Sequence, residues 1–353
     1  MPLLRRVCVA VLLLLFFSMA GRAEASVEAG PLGDLQLQLA QLTTHAPGHT
    51  AVMVEDLTTG LSTSVNAAAP MPAASTIKIP VMVEVFRQLA LGTFDLNRME
   101  TLTAAHRDWG WGDLSGARPG TRYSVARLLN LMITNSDNTA ANMLIRLVGR
   151  VHINAEMKSL GLQQTWLASD IRSDGPIRSQ LRTSARDMVQ LLERMAHSQL
   201  IDEWSSREML QILADDRINS LLPAPLPSGT VVAHKTGSLH DTLDDVGIVF
   251  LQDAPYAIAV MTTDLASLDA GRRFIHNVSR LAYDDLGRFA SWRIANLPTT
   301  LPLAMPAISR NGTRAPASAD VNRWAPANGA SAAPVDASFP SPAPEPEPVS
   351  ATQ

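Results

Sequence analysis

The alternation of apolar and polar positions divides the chain into strand-like ends around a helix-like middle. Leu35, Leu37, Leu39 and Leu42 fall in a short amphipathic segment that stops before Pro47-Gly48, and the spacing predicts a helix. Ala51-Val52-Met53-Val54 and Leu61-Ser62-Thr63-Ser64-Val65 flank Asp56-Leu57-Thr58-Thr59-Gly60, which predicts a hairpin. Over residues 75–89, Ile77, Val81, Val85 and Leu89 recur at helical spacing, and Pro80 is compatible with that helix only in or near its first turn. Helical periodicity continues over 125–133, 139–148, 153–160 and 184–195; strand signals return at 230–233, 245–251 and 256–263; a last amphipathic helix is predicted over 267–286. Strands at both ends and helices between them predict an α/β (α+β) fold. One antiparallel sheet, flanked by helices, is built from both ends of the chain, with an all-helical subdomain inserted at about residues 91–200.

The two termini follow other rules. Arg5 and Arg6 precede an apolar run from Val7 to Phe17, then Ala23-Glu24-Ala25, the pattern of an export signal over residues 1–25. Its apolar core is about half the ~20 residues a membrane-spanning helix needs, so no stable span is expected in the mature chain. From residue 309 onward Ala, Pro and Ser dominate, and such a segment buries too little apolar surface to offset its ordering entropy. The expectation is therefore a folded domain over 26–308 and a disordered tail over 309–353, in an exported protein, periplasmic or secreted, acting as a monomer.

Composition narrows the chemistry. A formal net charge of -4 over 353 residues offers no field suited to nucleic acid. The single cysteine, Cys8, lies inside the export segment, which excludes thiol nucleophiles, thiolate metal sites and disulfides from the mature protein. The eight histidines are scattered without ligand spacing, so neither metal nor cofactor is expected. His234 neighbours Lys235, and alternation along a strand points it to the opposite face in a packing role. Trp109 and Trp111 are candidates for walling a cleft or for packing in the helical part.

Three short motifs occur in order: Ser75-Thr76-Ile77-Lys78, Ser136-Asp137-Asn138 and Lys235-Thr236-Gly237. Residues three apart on a helix share a face, so Lys78 reaches the Ser75 hydroxyl, and a desolvated lysine that has lost its proton is a base for a poor nucleophile. A helix start at Ser75 also offers free backbone N–H groups to a reacting carbonyl. Ser136 lies in a loop from which a hydroxyl can relay a proton, although Asp137 or Asn138 equally reads as the N-cap of the next helix. Lys235-Thr236-Gly237 is expected to end a strand, with Gly237 leaving room for a ligand beside an edge strand, or to form a hairpin turn.

With their surroundings, Pro72-Ala73-Ala74 before Ser75 and Ala233-His234 before Lys235 among them, these motifs resemble the class A β-lactamases and related penicillin-interacting serine enzymes over about residues 34–286. The resemblance implies that Ser75 is acylated, Lys78 activates it and Ser136 passes a proton to the leaving nitrogen. It implies that Asn138, Lys235, Thr236, Gly237 and Ser238 bind substrate, with the N–H groups of Ser75 and Ser238 as oxyanion hole. The substrate would be a β-lactam or a peptidoglycan-like peptide. The chain departs from the family at one place: the loop between Gly161 and Thr183 lacks the glutamate that holds the hydrolytic water, and its carboxylates are Asp170 and Asp174. Either one of these replaces the glutamate, or no dedicated base exists and the acyl-enzyme hydrolyses slowly. A DD-peptidase or esterase, or a penicillin-binding sensor using the same cleft, are the alternatives.

Overall fold

The computed structural model describes residues 31–173 and 180–296, together with Ile308; residues 1–25, expected to direct export, residues 309–353, expected to form a tail, and Asp174 lie outside the described residues. In chain order the elements are α1 (Pro31–Thr44), β1 (His49–Asp56), β2 (Ser62–Val65), β3 (Met71–Pro72), a 3-10 turn (Ala74–Ile77), α2 (Lys78–Ala90), β4 (Met99–Thr101) and β5 (Arg122–Ser124). There follow α3 (Val125–Thr134), α4 (Asn138–Val148), α5 (Arg150–Ser159), β6 (Trp166–Leu167), β7 (Leu181–Thr183), α6 (Ala185–Ala196) and α7 (Glu203–Ala214). The chain closes with β8 (Val232–Leu239), β9 (Thr242–Val249), β10 (Tyr256–Thr263) and α8 (Leu268–Asn296).

The main sheet has the order β2-β1-β10-β9-β8 and is antiparallel throughout. Its seam joins the two ends of the chain, with His49 opposite Thr263 and Asp56 opposite Tyr256. A loop this long is entropically tolerable because closure cost grows only logarithmically with length. Every residue of β9 and β10 is buried, so both faces of the sheet are covered. On one face Val52, Val54, Ile258 and Val260 meet Leu35 and Leu39 of α1 and Phe274, Ile275 and Val278 of α8 in a single apolar cluster. The other face receives α6, whose Met188, Val189, Leu191, Leu192 and Met195 are buried.

The helical insertion is held by local chemistry. Ser124, Asp137, Ser184 and Asp202 each accept the N–H of the residue three along, which satisfies one orphan donor at the starts of α3, α4, α6 and α7.

Several expectations are corrected. Leu37 is 65% exposed, so the buried stripe of α1 comprises Leu32, Leu35 and Leu39 without it. Lys235-Thr236-Gly237 lies inside β8 and neither ends it nor turns it, because pairing with β9 carries the strand on to Leu239, opposite Thr242. The helical insertion runs beyond 200 to include α7 and contains short strands as well. α8 continues to Asn296, since Phe289, Ala290 and Arg293 extend its buried stripe past Leu286.

Candidate active site

Ser75 sits in the 3-10 turn that leads into α2, half-buried while Thr76, Ile77 and Lys78 are buried. In a 3-10 turn residues three apart eclipse, which sets Lys78 over Ser75. Ala74, just before the serine, adopts φ +42, a left-handed conformation of the kind that clusters at functional turns. β8 packs directly on this turn. A Cβ added to Gly237 would lie 3.1 Å from Ala74 Cβ and 3.3 Å from Ala73 O, so the glycine admits the turn that carries Ser75.

Lys78 is fully buried, and its Nζ stands 3.0 Å from Ser75 Oγ, 3.1 Å from Ser136 Oγ, 2.5 Å from the Ser136 carbonyl and 2.7 Å from Asn138 Oδ1. Burial, and then the positive charge of Lys235, push the Lys78 amine well below the ordinary lysine range, against the pull of Asp137, Asp108 and Asp216. A neutral amine has two N–H donors and one lone pair, so with its protons given to the carbonyl and amide oxygens it can accept the Ser75 proton.

Ser136 is buried with φ +54 at the junction of α3 and α4. The junction is stitched to the preceding loop: Trp111 Nε1 donates to Asn135 O at 2.9 Å, Asn138 N to Trp111 O at 3.1 Å, and Leu114 N to Asp137 Oδ2 at 2.7 Å. Asp137 is thus the N-cap of α4, as one reading of the motif expected, while Ser136 and Asn138 on either side of it reach Lys78.

On β8, Lys235 is fully buried; its Nζ donates to Thr236 O at 3.0 Å and lies 4.0 Å from Asp216 Oδ2. Burial pushes the Lys235 amine down and the Asp216 carboxyl up, each opposed by the charge of the other. His234 takes the opposite face, where its Nδ1 is 2.8 Å from Asp245 Oδ1, and both side chains are fully buried. The Asp245 charge and hydrogen bond outweigh desolvation and hold His234 above its ordinary range. Asp245 also accepts Leu222 N at 2.9 Å, tying β9 to the segment that follows α7.

A cleft of about 830 Å³ opens between the helical insertion and β8. Of the motif residues, Ser75, Ser136, Asn138, Thr236, Gly237 and Ser238 line it, while Lys78 and Lys235 stand buried behind them. Trp111 forms part of the wall; Trp109 is exposed under the Arg107 guanidinium, 3.8 Å from its ring centre. Asp170 does not line the cleft: its Oδ2 receives Arg146 Nη2 at 2.6 Å and Nε at 3.1 Å. Among the described residues, no group of three or more His, Cys, Asp or Glu is placed to share a metal ion.

The structure adds residues that no spacing indicated. Asp108, buried, accepts Asn138 Nδ2 at 2.8 Å and both the N–H and the hydroxyl of Ser173, at 2.7 and 2.5 Å. Asp108 precedes Asn138 by 30 positions, and its only sequence signal is the turn-like Gly110 and Gly112 that follow it. Asp216 beside Lys235 and Asp244 below Gly237 carry no motif at all.

Comparisons with known proteins agree in direction. A family model described as the beta-lactamase enzyme family matches residues 34–286. The extended-spectrum beta-lactamase PER-1 of Pseudomonas aeruginosa is 27% identical over 239 residues, covering 62% of this chain and 76% of that protein. Among solved structures, PBP-A is 31% identical with a TM-score of 0.68, covering 72% of this chain and 97% of its own. A mutant of PBP-A, solved as an acyl-enzyme complex with penicillin G, matches equally, with 31% identity and a TM-score of 0.68. A beta-lactamase from Sphaerobacter thermophilus DSM 20745 is 27% identical with a TM-score of 0.67, covering 72% of this chain and 97% of its own.

Proposed function

This chain belongs to the beta-lactamase enzyme family, whose model it matches over residues 34–286, and on that basis we propose that it is a serine hydrolase that opens β-lactam rings through an acyl-enzyme on Ser75. The observation that carries this reading is the placement of the buried Lys78 amine 3.0 Å from Ser75 Oγ and 3.1 Å from Ser136 Oγ. Lys78 takes the Ser75 proton as Oγ attacks the ring carbonyl, and Ser136 carries a proton on to the leaving nitrogen. The N–H groups of Ser75 and Ser238 receive the oxyanion, an interaction worth about 3 kcal/mol per donor. The positive charge of Lys235 draws the substrate carboxylate toward Thr236 and Ser238, and Asn138 orients the substrate while it holds Lys78.

Acylation is the better-equipped half of the cycle. Asp170 is engaged with Arg146 outside the cleft, which supports slow deacylation over a direct replacement of the absent glutamate by that residue. Residues 1–25 direct export and are removed, 26–308 form the catalytic domain, which acts as a monomer, and 309–353 form a solubilising tail. Among the described residues, no helix is long and apolar enough to cross a membrane.

Intact-mass spectrometry of the exported protein mixed with penicillin tests the reading. The expected result is a mature chain starting near Ser26 that gains one penicillin mass on Ser75, with none on a Ser75→Ala variant. An adduct that forms equally on the variant, or no adduct together with no loss of drug, overturns the assignment.

A further inference from the structure

The proposed cycle leaves one step without a residue, the release of the acyl group from Ser75, and any residue assigned to that step rests on the acylation of Ser75. Ser173 lines the same cleft as Ser75 and Ser136. Its hydroxyl donates to Asp108 Oδ2 at 2.5 Å and its N–H to Asp108 Oδ1 at 2.7 Å. Oδ2 also receives Asn138 Nδ2 at 2.8 Å and Gly110 N at 3.2 Å. Asn138 Oδ1 in turn holds Lys78, whose Nζ is 3.0 Å from the nucleophile. A continuous hydrogen-bonded path therefore joins a buried carboxylate, a cleft-facing hydroxyl and the acylated position. The hydroxyl fits because Gly110 has no side chain: a Cβ there would stand 1.8 Å from Ser173 Oγ.

Asn138 Nδ2, which donates to Asp108 at 2.8 Å, also lies 3.3 Å from Ser173 Oγ; with its proton committed to the carboxylate and one lone pair facing that amide, the hydroxyl keeps its second lone pair for a donor that enters the cleft. We propose that Ser173, backed by Asp108, takes up the proton of the hydrolytic water in deacylation. The water oxygen bonds to the ester carbon of the acyl-Ser75. One water proton passes to Ser173 Oγ as the Ser173 proton passes to Asp108 Oδ2. The tetrahedral intermediate collapses with cleavage of the bond to Ser75 Oγ, and the proton of the new carboxylic acid passes to that oxygen. Product leaves as the carboxylate, and Asp108 returns its proton through Ser173 to solvent, so that one ester and one water give one serine, one carboxylate and one proton.

The same geometry makes the relay slow. Burial pushes the Asp108 carboxyl up, but the bonds from Ser173, Asn138 and Gly110 together outweigh it and hold the group below the ordinary carboxylate range. A carboxylate so well solvated by donors is a weak proton acceptor. Ser173 would be the catalytic residue, touching the water, and Asp108 a positioning residue that acts through it.

Time-resolved intact-mass spectrometry with penicillin separates formation of the Ser75 adduct from its decay. For Ser173→Ala, adduct formation is expected within about threefold of the unmodified protein and decay about a hundredfold slower, the scale of one general-base contribution. Asp108→Asn, nearly isosteric, is expected to slow decay similarly while formation falls less. A purely structural role would slow both phases together. Decay of the Ser173→Ala adduct at the unmodified rate, equal slowing of both phases in both variants, or an unmodified adduct that never decays overturns the relay while leaving acylation of Ser75 intact. Absence of any adduct and of any drug loss in the unmodified protein overturns the parent reading and the relay with it.

Discussion

At the scale of single residues, the site is an arrangement of charges behind a polar wall. Two fully buried lysines share one region, and each has its protonation set by neighbours: Lys235 has Asp216 at 4.0 Å, whereas Lys78 has mostly neutral acceptors around it. The proposed mechanism divides the labour between them, with Lys235 acting as a cation and Lys78 as a base. Because the base form is the active one, the acylation rate should rise with pH as Lys78 loses its proton, with the acid limb well below the ordinary lysine range. Burial depresses Lys78 most and the Lys235 charge next, so Lys235→Ala removes the second of these causes and leaves burial alone against the pull of Asp137, Asp108 and Asp216. Its acid limb is therefore expected at higher pH, read from the pH dependence of the burst rate with a chromogenic cephalosporin. An unmoved limb would exclude Lys78 as the base. The serine and lysine were legible from the sequence because their relation is local, three positions along one turn. Asp108 was not, because the family pattern points to the 161–183 loop for a carboxylate, while the buried carboxylate that meets Asn138 and Ser173 comes from the segment between β4 and β5.

At the scale of elements, the functional contact is the packing of β8 against the 3-10 turn. At Gly237 any side chain would press on Ala74 Cβ, Ala73 O and Asp244 Oδ2, all between 3.1 and 3.3 Å from a virtual Cβ. Gly237→Val, with two further carbons, has to push the turn away from β8. The expected cost is about 1–3 kcal/mol of stability. The acylation rate should fall further, by roughly a hundredfold, because the nucleophile is displaced from its partners by a fraction of an ångström to one ångström. Thermal melting and the burst rate check the two halves separately; a variant that melts lower but acylates normally would show that the turn does not depend on β8. Periodicity located α3 to α6 to within a few residues because their buried stripes are regular. It passed over α7, whose buried apolar residues Met209, Leu210, Leu213 and Ala214 crowd into its C-terminal half behind a polar start. It also stopped β8 short, because the strand runs through a glycine that only cross-strand pairing keeps extended.

At the scale of the whole molecule, residues from the first strand and the last helix meet in one ion pair. Arg293 Nη1 lies 3.2 Å from Asp56 Oδ2, across 237 positions, and its Nη2 donates to the Asp253 carbonyl. Both side chains are nearly or fully buried, at 9% and 0% exposure, so removing Arg293 leaves the buried Asp56 charge with the N–H and hydroxyl of Thr59 and no counter-charge from α8. Arg293→Ala is expected to lose about 3 kcal/mol, a fall in melting temperature of roughly 6–12 °C, with adduct formation on Ser75 unchanged at temperatures where the protein is folded. A melting temperature within a degree or two of the unmodified protein would show that α8 ends functionally near Leu286. By itself, the sequence determined the alternation of helix and strand, the fold class and the motif that sets a lysine over a serine, since these depend on spacings of two to four residues that backbone geometry imposes wherever they occur. Which carboxylates stand beside which lysine, and which glycines are spaces rather than turns, only the tertiary structure decided. Burial and hydrogen bonding between distant loops set those relations, and no local period encodes them.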